Sequence, residues 1–122
     1  MLKSYNNGVY TDYAYDARGR LTGLTNRTQS AILDAYQYVY DTATMISAIT
    51  RNQQKMSFAY DKTYQLTAEL GRYLTNSAGG SLATATVSNQ FAYDDAGNRI
   101  SSVGAGSVPR IYLHTPDNQL TT

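Results

Sequence analysis

Aromatic and small residues alternate with a period of two at four places along the chain. These are YAYDARGRL at 13–21, YVYDTATMI at 38–46, FAYDKTYQL at 58–66 and FAYDDAGNRI at 91–100. That period sets alternate side chains on opposite faces of a β-strand. One face then carries Tyr13 and Tyr15, then Tyr36, Tyr38 and Tyr40, then Phe58 and Tyr60, then Phe91 and Tyr93. The other carries Ala14, Val39, Ala59 and Ala92. Aligning on Asp16, Asp41, Asp61 and Asp94 exposes a fifth, degraded copy, YLHTPDNQL at 112–120. It opens on Tyr112, has His114 in the Tyr place and puts Thr115 in the Asp place. Successive spacings of 25, 20, 33 and 21 residues describe a repeat with insertions. Each unit is too small to bury an apolar face alone, so the copies must stack.

The residues after each Asp predict a turn. Gly19 and Gly97 stand three residues on, and Asn118 holds the same place in the fifth copy. Asp at the first position and Gly or Asn at the fourth suit a type I turn, with a carboxylate that accepts local N–H groups and a residue tolerant of positive φ. Asp16, Asp41, Asp61 and Asp94 are thus the predicted turn anchors. Thr44 and Tyr64 break the rule, so those two turns are expected to be wider or irregular. The chain is apolar again after each turn, at Leu21 and Leu24, Ile46 and Ile49, Leu66, Ile100 and Val103, and Leu120. A three-residue step keeps both side chains on one face only if a bulge lies between them, and a bulge is the favoured reading. Asn7-Gly8 between Tyr5 and Tyr10 adds a further hairpin signal.

Two stretches also carry helical spacing: Ile32, Tyr36 and Val39, and Leu66, Leu70, Tyr73 and Leu74. Repeat register argues for strand in both. Residues 71–90 form the insertion behind the 33-residue spacing, read as an extended hairpin turning at Ser77–Ser81 or as a loop. The prediction is an all-β chain of tandem antiparallel β-hairpins in one continuous sheet. The single array spans 1–122, with copies centred near 13–24, 38–49, 58–70, 91–103 and 112–121.

Composition supports this and narrows the function. Twelve Tyr stand against two Phe and no Trp, and charged residues are 16% of the 122, below the roughly 25% usual. Tyr and Thr favour strands. Ten basic and nine acidic residues give no electrostatic case for nucleic acid. No apolar run approaches the roughly 18 residues of a membrane-spanning helix, and MLKSYNN shows no secretory signal pattern. With no Cys, thiol chemistry and Cys metal sites are excluded.

Tyr-x-Tyr-Asp-x-x-Gly-Arg-Leu at 13–21, repeated in register and joined at 91–122 by variants containing GNR and NQL, resembles the Rhs or YD repeat. That repeat occurs in bacterial Rhs proteins, Tc-type toxin complexes and animal teneurins. The resemblance implies a curved or spiral sheet that forms a hollow shell around a toxic polypeptide or the protein's own chain. It also implies an extracellular or cell-surface setting, bacterial in origin. Its partners would be other YD repeats, from a longer parent chain or from further copies, together with an enclosed polypeptide. The family's core-terminating segment before a self-cleavage point has no match here.

Candidate chemistry is sparse. His114 is the only histidine and sits in a repeat slot, so a structural role is expected. Asp94-Asp95 beside Gly97-Asn98 lacks the alternating oxygens and closing Glu of a Ca²⁺ loop. The Asp residues recur because turns recur, and nothing pairs one as acid with another as base. Arg18, Arg20 and Arg27 read as a solvated basic hairpin tip. No catalytic residue, metal or cofactor is expected, and the protein is read as non-enzymatic. The aromatic ladder (Tyr13, Tyr15, Tyr38, Tyr40, Phe58, Tyr60, Phe91, Tyr93 and Tyr112) is expected to stack ring on ring between copies. The alternative is a carbohydrate-binding face that contacts cell-surface glycans, which would leave several of these rings open to solvent.

Overall fold

The computed structural model describes residues 2–4, 8–73 and 85–121. Twelve strands run among them in chain order. They are β1 (Leu2–Ser4), β2 (Tyr10–Tyr15), β3 (Leu21–Arg27), β4 (Ile32–Tyr40), β5 (Ile46–Arg51) and β6 (Gln54–Tyr60). Then come β7 (Leu66–Tyr73), β8 (Ala85–Tyr93), β9 (Arg99–Gly104), β10 (Arg110–Ile111), β11 (Leu113–His114) and β12 (Leu120–Thr121). Strands β1 to β10 form one sheet in sequence order, every pair antiparallel, and β11 pairs with β12. The chain is all-β, a continuous run of hairpins. Leu66–Tyr73 is strand, so periodicity of two outweighs the helical spacing there.

Strands 2, 4, 6 and 8 each end on a Tyr, and the chain then reverses through an Asp turn. All Asp turns therefore fall at one end of the sheet, and the intervening connections fall at the other. The turn expected at Ser77–Ser81 lies outside the described residues, as does Asn7. Gly8 has φ 76°, and β1 and β2 pair with Ser4 facing Tyr10. Tyr112 interrupts the first strand of the fifth copy but keeps its bond to the sheet, its N–H donating to the Ile100 carbonyl at 2.9 Å. The fifth turn is tied to the fourth by Asn98 Nδ2 donating to Asn118 Oδ1 at 2.8 Å.

A bulge sits at the same place in four hairpins. Ala14 faces Gly23 but Tyr15 faces Leu21, which leaves Thr22 extra. Ser47, Thr67 and Ile100 are the extra residues in the next three. In the fourth hairpin Ile100 is itself the bulged residue, and Arg99 takes the place held elsewhere by Leu21, Ile46 and Leu66. In the first two hairpins the extra residue restores both apolar side chains to the aromatic face, whereas in the fourth Val103 faces Gln90 on the other face, and in each it adds local twist.

Among the described residues only Thr11, Ala48 and Gly71 are buried. Ordinary domains bury a core between two layers. Here one layer stands without a described second one, and side chains shield one another sideways along each face.

Candidate functional site

The repeating unit begins with its turn. Asp16 Oδ1 accepts from the N–H of Arg18 at 2.9 Å and of Arg20 at 3.0 Å, and Asp16 Oδ2 accepts from Arg20 Nε at 2.7 Å. Asp61 Oδ1 accepts from the N–H of Thr63 and of Gln65 at 2.8 and 3.0 Å. Asp94 Oδ1 accepts likewise from Ala96 and Asn98 at 3.0 and 2.8 Å, and Asp41 Oδ1 accepts from Met45 at 2.9 Å. In the fifth copy Thr115 Oγ1 accepts from the Gln119 N–H at 3.1 Å. Hydrogen bonds to the charged form favour it. The carboxyls of Asp16 and Asp61 are held below their ordinary value chiefly by the backbone N–H of Arg20 and of Gln65. For Asp94 the leading cause is the Asn98 side chain.

The fourth turn residue is left-handed in all five copies. Gly19 has φ 77°, Gly97 85° and Asn118 61°. Thr44 and Tyr64 also adopt φ of 69° and 64°. Their N–H groups bond Asp41 O and Asp61 O at 3.2 and 3.1 Å, against 3.0 Å for Gly19 and Gly97. The two turns expected to be wider or irregular close like the others. The Asp network over-determines the turn and holds a non-Gly residue where it would not settle alone.

Beyond the turn, each hairpin is tied to the one before it. Tyr40 donates its phenol to the Leu21 carbonyl at 2.7 Å, Tyr60 to Ile46 at 2.9 Å and Tyr93 to Leu66 at 2.8 Å. The donor always precedes the Asp. The acceptor always lies five residues after the previous Asp, at the +5 place of that copy. His114 is in the donor place of the fifth copy, and its Nδ1 is buried with no hydrogen-bond partner among the described residues. Tyr112 instead shares a hydrogen bond with Ser102 Oγ at 3.1 Å, which holds its hydroxyl below the ordinary value.

The expected ring-on-ring ladder between copies is replaced by another arrangement. Tyr13 faces Leu24, which faces Tyr36, and Tyr38 faces Ile49, which faces Met56. The strand after each turn thus separates the aromatic strands of adjacent copies. Rings two strands apart are roughly 10 Å from each other, beyond the ~7 Å limit of ring contact. The one stacked ring pair among the described residues, Tyr36 and Tyr38 at 6.5 Å and 12°, lies within a single strand.

Arginines complete the face, and the basic tip expected from Arg18, Arg20 and Arg27 does not form. Arg20 Cζ lies 4.5 Å from the Tyr40 ring centroid, and Arg99 lies 4.9 Å from that of Tyr112 and 5.7 Å from that of Phe91. Arg51 sits 5.4 Å over Tyr36 and forks onto Asp34, whose carboxyl it holds down. Arg27 stands at the opposite end of β3, paired with Asp12 and over Tyr10. Among the described residues no group of three or more His, Cys, Asp or Glu is placed to hold a metal ion.

The fold defines a class: a single-layer array of β-hairpins with Asp-anchored turns and phenol-to-carbonyl bonds between units. No family model and no curated protein matches the chain. Several solved structures share its fold. The crystal structure of TcdB2-TccC3 without its hypervariable C-terminal region superposes with a TM-score of 0.77 at 20% identity, covering 99% of this chain and 7% of that one. The Photorhabdus luminescens Tc holotoxin pore with mutated TccC3 gives 0.71 at 19% identity, covering 92% of this chain and 6% of that one. This chain therefore spans less than a tenth of the neighbours it matches.

Proposed function

We propose that the chain is a wall segment: a non-enzymatic YD-type repeat module whose hairpins continue a β-sheet shell of the kind used to enclose a polypeptide in toxin delivery. One observation carries the reading. Each hairpin is completed by its predecessor through the phenol bonds of Tyr40, Tyr60 and Tyr93, while the described sheet has almost no buried core. Such a unit is finished only by more of the same, which is the logic of a wall. The anchor carboxylates are occupied by turn N–H groups, which supports architecture over catalysis. Exposure also favours the wall over a glycan-binding face, since Tyr15 alone among the nine ladder residues is exposed. Likeness to toxin-complex chains supports an extracellular, bacterial setting.

Small-angle scattering of the purified chain tests this through sheet thickness. A wall one strand thick gives about 10 Å, and a sheet folded or packed onto a second layer gives about 20 Å. The thicker value overturns the reading.

A further inference from the structure

We infer that a recess in the aromatic face, where the third hairpin meets the fourth, is a binding site for a neutral sugar. The site is independent of the wall reading, and it is not the tyrosine row whose shielding argues against a glycan-binding face. The repeat breaks its own rule there. In each of four hairpins the residue eight places after the turn Asp faces the ring three places before that Asp. Leu24 faces Tyr13 and Ile49 faces Tyr38, but Glu69 faces Phe58 and Ser102 faces Phe91. Asn89, five places before its Asp, stands where the second and third copies have Tyr36 and Met56. It faces Glu69 on one side and Gly104 on the other. Three places that packing would fill with apolar side chains thus carry polar ones, and such departures from a local building rule gather at functional sites.

A cavity of about 430 Å³ opens at these residues, within the roughly 300–1,000 Å³ of small-ligand sites. Gly104 keeps it open. A Cβ there would stand 3.0 Å from Asn89 Oδ1 and 3.6 Å from Ser107 Oγ, so both oxygens converge over bare backbone. Asn89 Nδ2 donates to Glu69 Oε1 at 2.5 Å, which leaves Asn89 Oδ1 to accept from a ligand. Asp12 and Asp34, the other carboxylates within the described strands, each pair with an arginine. Glu69 is half-buried and makes no ion pair among the described residues, so its second oxygen is available.

The lining selects the ligand. Glu69 and Asn89 Oδ1 accept, the Arg110 guanidinium donates, and the Ser107 hydroxyl can do either. Glu69 and Arg110 are the charged lining groups and cancel, so neither a simple cation nor a simple anion is favoured. A molecule with several hydroxyls, each both donor and acceptor, meets all of these groups at once. Phe91 supplies an apolar wall for the C–H face of a sugar ring. Arg99 leaves room for this, lying nearer the Tyr112 ring than the Phe91 ring, at 4.9 against 5.7 Å.

A chemical-shift titration of the isotope-labelled full chain tests this, with glucose, galactose, N-acetylglucosamine, cellobiose and lactose as probes. At least one sugar should bind and move the amide signals of Glu69, Asn89 and Gly104. Gly104→Val, which fills the recess at a backbone free of positive φ, should abolish binding. Glu69→Gln keeps the shape, turns a charge-assisted hydrogen bond into a neutral one and should weaken binding about tenfold. Gln37→Ala, at an exposed position on the opposite face of β4, should leave binding unchanged. No binding by any probe overturns the site, as does binding that survives both recess variants or is lost equally in Gln37→Ala. Methylguanidinium or acetate binding the recess more tightly than every sugar overturns the ligand class. Should Gly104→Val fail to fold, Glu69→Gln decides, and unchanged affinity in that variant overturns the site.

Discussion

The phenol bond from Tyr60 to Ile46 offers a direct measure of how strongly two hairpins hold each other. Tyr60→Phe keeps the ring, its packing on Leu66 and the β6–β7 register, and deletes one O–H donor at 2.9 Å. A neutral hydrogen bond of this kind contributes about 1 kcal/mol net. Ile46 as a residue is only half-buried, so leaving its carbonyl without this donor adds little. The change is about fivefold in the equilibrium for local opening at 25 °C. In a stacked array the loss belongs to one interface and is not shared by the whole sheet. Native-state hydrogen exchange should therefore speed about fivefold at the β5–β6 amides, from Ala48 to Arg51 and from Gln54 to Ser57. The β8–β9 amides should be unaffected. Exchange that is unchanged at β5–β6, or that accelerates equally in β8 and β9, refutes the view that this bond joins neighbouring units.

The same geometry sets three further outcomes. His114→Tyr should supply the absent phenol opposite the Arg99 carbonyl and slow exchange in the fifth hairpin, by an amount equivalent to about 1 kcal/mol; unchanged or faster exchange counts against the pattern. Thr44→Gly relieves a β-branched residue at φ 69° and should stabilise by about 1 kcal/mol in a denaturant titration, whereas destabilisation means the turn is not strained. Asp16, Asp61 and Asp94 have folded values below the ordinary 3.8. A lowered folded pKa adds stability above the unfolded value, and that stability is lost as pH falls through the folded one. The melting temperature should thus be insensitive to these groups from pH 7 to 5 and fall below about pH 3.9, with Asp61→Asn blunting the fall. A decline already complete by pH 5 contradicts the assignment.

Much of the fold was legible because the motif encodes local geometry. Asp with a left-handed fourth residue sets a turn, and alternation before it sets a strand. The three-residue apolar step marks the bulge. What escaped depends on how one hairpin sits beside another. The motif puts a ring in every copy, but only the strand order reveals that Leu24 stands between Tyr13 and Tyr36 and that Ile49 faces Tyr38. The Tyr-to-carbonyl bonds join residues 19, 14 and 27 positions apart and need the inter-hairpin offset to be seen. Thr44 and Tyr64 misled because residue preference predicts an unstrained turn, and here the Asp acceptor network wins. Arg99 was missed because Ile100 looked like the apolar successor of the turn, whereas Arg99 holds the place of Leu21, Ile46 and Leu66 and Ile100 is the bulged residue.

A sheet with almost no shared interior also sets how its gene can change length. Removing or duplicating one hairpin disturbs the bonds at its two borders and leaves every other unit as it was. A protein built around a common core lacks that freedom, because any lost element opens a cavity for all the rest. For this chain, recombination between copies of the motif is a tolerated route to longer or shorter proteins. Point changes at a phenol or a turn carboxylate are felt locally.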